Sequence, residues 1–147
     1  RGHPSDPTDP MTRRMFGWLL WLALACWAGS ILWLSSLTPQ ELPDAAFVFW
    51  DKVNHFAAFV VGGWLAAAAL RVSRPGAPLK NLLLLAVLLI TAFGALDEAV
   101  QTLTPGRSGG DLDDWVADLL GAIAGALLTV PTLPRLLRRQ GSARPER

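Results

Sequence analysis

Four long apolar stretches separated by short polar segments dominate the chain. Phe16 to Leu37 runs 22 residues without a charged side chain. At about 1.5 Å per residue, such a helix crosses a hydrocarbon layer of about 30 Å. A second stretch extends from Val53 to Leu70, with His55 near its start as the only ionisable group. The third, Leu79 to Val100, centres on the unbroken run from Leu82 to Ile90 and carries Asp97 and Glu98 near its end. The fourth, Trp115 to Leu133, holds Asp118 in its first turn and closes at Pro131 and Pro134. A soluble bundle needs a polar face on each helix, which these stretches do not provide. The pattern predicts an all-α integral membrane bundle of four transmembrane helices, set within residues 16–134.

Composition agrees with this pattern, since 52% of residues are apolar and only 17% charged. Seven tryptophans without a tyrosine suit aromatic anchoring at the lipid interfaces. Cys26, the single cysteine, lies inside the first span and is expected to be a small buried hydrophobe. No zinc or redox cysteine spacing exists.

Charge placement then orients the bundle, because Lys and Arg beside a span resist translocation. Arg1, Arg13, Arg14, Arg71, Arg74, Lys80, Arg135, Arg138, Arg139, Arg144 and Arg147 fall on one side of four alternating spans. Only Lys52 and Arg107 fall on the other, together with Glu41, Asp44, Asp51, Asp97, Glu98, Asp111, Asp113, Asp114 and Asp118. The bias predicts cytoplasmic N and C termini, with the acidic face extracytoplasmic. Thr12 to Phe16 has the look of a twin-arginine export signal, but no small-residue cleavage site follows it. An uncleaved first anchor is the expectation. Residues 1–15 read as a disordered or appended tail, with Met11 as a natural start, and residues 135–147 as a basic cytoplasmic tail.

Ionisable groups just inside span ends are costly unless paired or hydrated, which directs attention to the acidic face. Asp51 and His55 stand four apart on one helix face with Lys52 beside them, and a carboxylate so placed orients an imidazole. Asp97 and Glu98 oppose the negative end of their helix dipole and need partners, for which Arg107 and Lys52 are the candidates. Gln101 extends that polar helix end. The loop from Thr104 to Gly110 is built to turn sharply, and its Arg107 is expected to be an ion-pair hub or an anion contact. Asp111, Asp113 and Asp114 suit a helix start, whereas Asp118 already lies within the span. Asp114, Asp118, Gly121 and Gly125 share a face, so the small pair predicts tight helix packing, with Gly62 and Gly63 as the complementary surface. The expected ligand-binding set is Asp51, Lys52, His55, Glu98, Gln101, Arg107, Asp114 and Asp118.

Four short motifs resemble the VanZ-like family of small bacterial membrane proteins. They are Asp51-Lys52-Val53-Asn54-His55, Glu98-Ala99-Val100-Gln101, Pro105-Gly106-Arg107-Ser108 and Asp114-Trp115-Val116-Ala117-Asp118-Leu119-Leu120-Gly121, spread over roughly residues 50–130. The family pattern often has Asn at position 118, and the loop after Arg107 is one residue longer here. The resemblance implies a cell-envelope role, the family being named for members associated with teicoplanin resistance. It brings no residue-by-residue mechanism.

Three functional classes remain open at this point. The first is binding or modification of a lipid-linked or peptidoglycan-related anionic head group, with membrane lipid or a cell-wall precursor as partner. The second is a membrane-embedded enzyme using His55, Glu98 and Asp118, and the third a small transporter, which the charge-free centres of the first and third helices disfavour. Either of the first two accommodates a divalent metal on His55, Glu98, Asp114 and Asp118, although no recognised spacing signature is present. No nucleophile elbow, phosphate loop or nucleic-acid module appears, so no nucleic-acid partner is expected.

Overall fold

The computed structural model describes residues 10–42 and 51–142. Asp44, the side chain of Asp51, and the sequences before residue 10 and after 142 lie outside that description. The described residues form four helices: α1 Pro10–Ser35, α2 Asp51–Ser73, α3 Leu79–Leu103 and α4 Leu112–Ser142. All four are long and apolar enough to cross a membrane. The helix ends that meet, late α1 and α3 with early α2 and α4, define an up-and-down bundle. Most of its large outward-facing apolar side chains, among them Leu84, Leu88, Leu120 and Leu127, are aliphatic, which suits a lipid-facing surface.

Two helices outrun their apolar stretches. α1 begins at Pro10, taking Arg13 and Arg14 into its first turns, where proline is favoured. α4 continues through Pro131 and Pro134 into the basic segment. Proline is tolerated in a membrane helix when other groups satisfy the surrounding carbonyls. Here the Thr129 and Thr132 hydroxyls donate to the Ala126 and Leu128 carbonyls, and Arg71 reaches across from α2 to the Thr129 carbonyl at 2.6 Å.

The core is narrow because α2 and α4 approach closely, making the most extensive of the helix contacts. A Cβ at Gly121 or Gly125 would collide with α2 backbone around Phe56, Val60 and Trp64, and one at Gly63 with α4 backbone at Ala122. Gly62 faces elsewhere, toward the Trp27 ring of α1. The expected glycine contact is therefore made by Gly63, while its neighbour admits a tryptophan. Alanines 66–69 of α2 are fully buried, so the central helix is walled by small side chains.

Tryptophans serve as cross-links as well as surface anchors. The indole N–H groups of Trp21, Trp27, Trp64 and Trp115 donate to Ser73, Ala58, Thr132 and Thr91, on neighbouring helices. Trp18 and Trp33 instead face outward near the two ends of α1. Cys26 is exposed rather than buried, because α1 turns that side to lipid. An apolar run specifies a membrane environment without saying which face meets protein.

Candidate functional site

The polar end of the bundle is organised by the loop that joins α3 to α4. Gly106 and Gly110 both adopt φ of +76°, a left-handed conformation that side-chain-bearing residues rarely take. These turns bring the Asp111 amide to Glu98 Oε2 at 2.9 Å, fastening the loop onto α3. Asp111 then starts α4, its Oδ1 accepting the Asp113 amide at 2.8 Å as an N-cap. That amide, followed by the Lys52 ammonium, holds the Asp111 carboxyl below the usual carboxylate range.

Early α2 and early α4 place their side chains against each other as a consequence of the glycine contact below them. Lys52 Nζ bridges Asp114 Oδ1 at 2.8 Å and Asp111 Oδ2 at 3.1 Å. One turn deeper, His55 Nδ1 lies 2.9 Å from Asp118 Oδ1. Exposure of His55, Glu98, Asp114 and Asp118 is 9%, 6%, 3% and 0%. Ligand-capable atoms of His55, Glu98 and Asp114 lie within 4.8 Å of one another. Three helices thus deliver a histidine and two carboxylates to one buried point, with a third carboxylate behind the imidazole.

Asp97, adjacent to Glu98 but about 100° further round the helix, enters a different network. Its Oδ1 accepts the Ser35 hydroxyl of α1 at 2.5 Å, and its Oδ2 accepts the Gln101 amide at 3.3 Å. Thr104 completes the tie by donating to the Ser35 carbonyl at 2.9 Å. Asp97 is only 1% exposed, so the serine hydroxyl is its principal compensation on the α1 side. Ser35→Ala is expected to cost about 1–3 kcal/mol, the penalty for taking a hydrogen bond from a buried charged acceptor. Chemical unfolding in micelles checks this, and Ser35→Thr, which keeps the hydroxyl, should recover most of the loss.

A cavity of about 450 Å³ opens beside this network between α1, α2 and α3. Ile31, Leu34, Leu42, Ala58 and Phe59 form its apolar wall, and Ser35, Asn54, His55, Asp97, Gln101, Arg107 and Ser108 its polar end. Arg107 forms no ion pair among the described residues and lines the cavity. The sequence-expected residues therefore gather at one end in two adjoining groups. His55, Gln101 and Arg107 line the cavity, while Glu98 and Asp114 cluster with His55 and Asp118 bonds its Nδ1. Lys52 pairs with the start of α4, and Asp51 opens α2. Ser35 and Asp97 were not in the expected set. A serine ending an apolar helix gives no periodic signal, and nothing in the sequence tells which of Asp97 and Glu98 faces α1.

A bundle of this kind, with a buried histidine–carboxylate cluster beside a cavity at one helix end, defines a multi-pass membrane protein with a polar site near one membrane surface. The chain belongs to the VanZ/LLP1 family, whose model matches residues 20–135 and so takes in the later part of α1 as well as the four motifs. No curated protein and no solved structure matches the chain.

Proposed function

We propose that the protein binds an amphiphile with an anionic head group, in the cavity at the polar end of the bundle. The carrying observation is the pairing of an aliphatic wall with Arg107, a cation that has no ion-pair partner among the described residues. An arginine so placed matches phosphate or carboxylate oxygens in a bidentate manner, while the wall accepts the first methylenes of a chain. His55 and Gln101 add hydrogen-bonding groups beside it. The charge bias, eleven basic residues against two, supports an extracytoplasmic position for this end, at the outer side of the inner membrane. A lipid-linked cell-wall precursor fits the head group, the apolar tail and that location. An influence on teicoplanin susceptibility would follow from sequestering or altering such a lipid.

Arg107→Gln should weaken binding of a polyprenyl-diphosphate muropeptide by at least about tenfold, the loss of one charge-assisted contact of 1.4 kcal/mol or more. Tryptophan quenching in nanodiscs, with phosphatidylcholine alone as the blank, measures it. Equal affinity of the variant and the parent chain would refute the reading. Modification rather than binding is the second reading, favoured by His55 with Asp118 behind it, an imidazole held as a general base is held. Head-group turnover that disappears in His55→Asn while affinity survives would establish it.

A further inference from the structure

We infer that His55, Glu98 and Asp114 form a binding site for one divalent cation, with Asp118 positioning the histidine. Their ligand-capable atoms already lie within 4.8 Å of one another, close enough for a shared ion after small side-chain adjustments. Glu98 supplies an independent observation. One of its oxygens, Oε2, is fixed by the Asp111 amide, while Oε1 is buried with no hydrogen-bond partner among the described residues. Buried carboxylate oxygens rarely remain unsatisfied, and this one belongs to a side chain whose other oxygen is tied in place.

Charge points the same way. Glu98, Asp114 and Asp118 are buried together, with Asp111 at the rim, and Lys52 is the one cation in contact with them among the described residues. A divalent ion would offset the remaining negative charge within the membrane-spanning region, where uncompensated carboxylates are costly. The Asp118 contact to Nδ1 has the form of the carboxylate–histidine pairs that hold metal-ligating imidazoles by one nitrogen so that the other can carry the ion. One imidazole with two carboxylates favours Zn²⁺ or Mn²⁺ over Ca²⁺, which takes six to eight oxygens. Three protein ligands also leave coordination positions for water or a ligand oxygen. His55 lines the head-group cavity too, so the ion would sit one side chain away from Arg107's subsite.

The full chain, purified in nanodiscs and stripped with chelator, should bind one Mn²⁺ per polypeptide. Pulsed electron paramagnetic resonance should show ¹⁴N coupling to that ion. His3 is the only other histidine, so a His3→Ala background assigns the coupling to His55. Glu98→Gln should weaken Mn²⁺ or Zn²⁺ binding at least about tenfold, and Asp118→Ala by about 10- to 100-fold, the range for lost outer-shell partners. Circular dichroism verifies that each variant is folded. If either is not, the stoichiometry and nitrogen coupling of the His3→Ala protein carry the test. Absence of stoichiometric binding, absence of ¹⁴N coupling, or unchanged affinity in both variants overturns the inference. Head-group binding by the chelator-treated protein is measured separately through Arg107→Gln, so failure of the cation site and failure of the cavity reading are distinguishable.

Discussion

Gly125→Val is expected to destabilise the bundle by about 3 kcal/mol, the upper end of what overpacking usually costs. A Cβ at this position would sit 2.7 Å from the Trp64 amide nitrogen and closer still to the Val60 carbonyl oxygen. Both obstacles are backbone atoms of α2, which no rotamer change can move. The helices must separate, and with them the faces that carry His55 and Asp118. Reversible unfolding in mixed micelles, followed by far-ultraviolet circular dichroism, measures the loss. Gly29→Ala is the control, since a methyl there meets nothing within 4 Å. It should be neutral or stabilising by up to about 1 kcal/mol, because alanine suits a helix better than glycine. Equal stability of Gly125→Val and Gly29→Ala would disprove the close approach of α2 and α4.

The second large effect is expected at the histidine. His55→Leu removes the partner of a carboxylate with no exposed surface and should cost about 3–5 kcal/mol, as breaking a buried pair from one side does. The double variant His55→Leu with Asp118→Leu should recover much of that loss, because neither member is then left uncompensated. Asp118→Asn should be mild, since an amide oxygen still accepts from Nδ1–H. A double-mutant cycle in the same unfolding assay isolates the coupling. Additive single losses would show that the two side chains do not depend on each other.

Much of this architecture is legible in the sequence because a bilayer imposes a simple rule: about twenty apolar residues make a span. The positions of α2, α3 and α4 follow from that rule, as does the gathering of His55, Glu98, Asp114 and Asp118 at one end. Helix limits follow less well. Pro131 and Pro134 read as a stop, yet α4 runs through them, with threonine hydroxyls and Arg71 bonded to nearby carbonyls. Lateral direction is the least legible property. Cys26 turns to lipid, Gly62 turns to Trp27 while Gly63 turns to α4, and Asp97 and Glu98 part into separate networks. In a helix apolar on every side, hydrophobic periodicity no longer distinguishes a protein-facing stripe from a lipid-facing one. The part of α1 in the site depends on that missing information. Ser35 reaches Asp97, and Ile31 and Leu34 complete the cavity wall, although α1 has no charged residue between Phe16 and Ser35 to announce either role.

The closeness of α2 to α4 also bears on biogenesis. During synthesis α2 enters the bilayer two helices before the partner it packs against most extensively, and its alanine-rich flank offers lipid little in return. Until the last helix emerges from the ribosome, Gly63 and the His55 face have only α1 and α3 for company. Arrival of α4 is then the event that commits the chain to its final assembly. A chain released before residue 112 would leave three helices with an open flank, a species for membrane quality control to recognise.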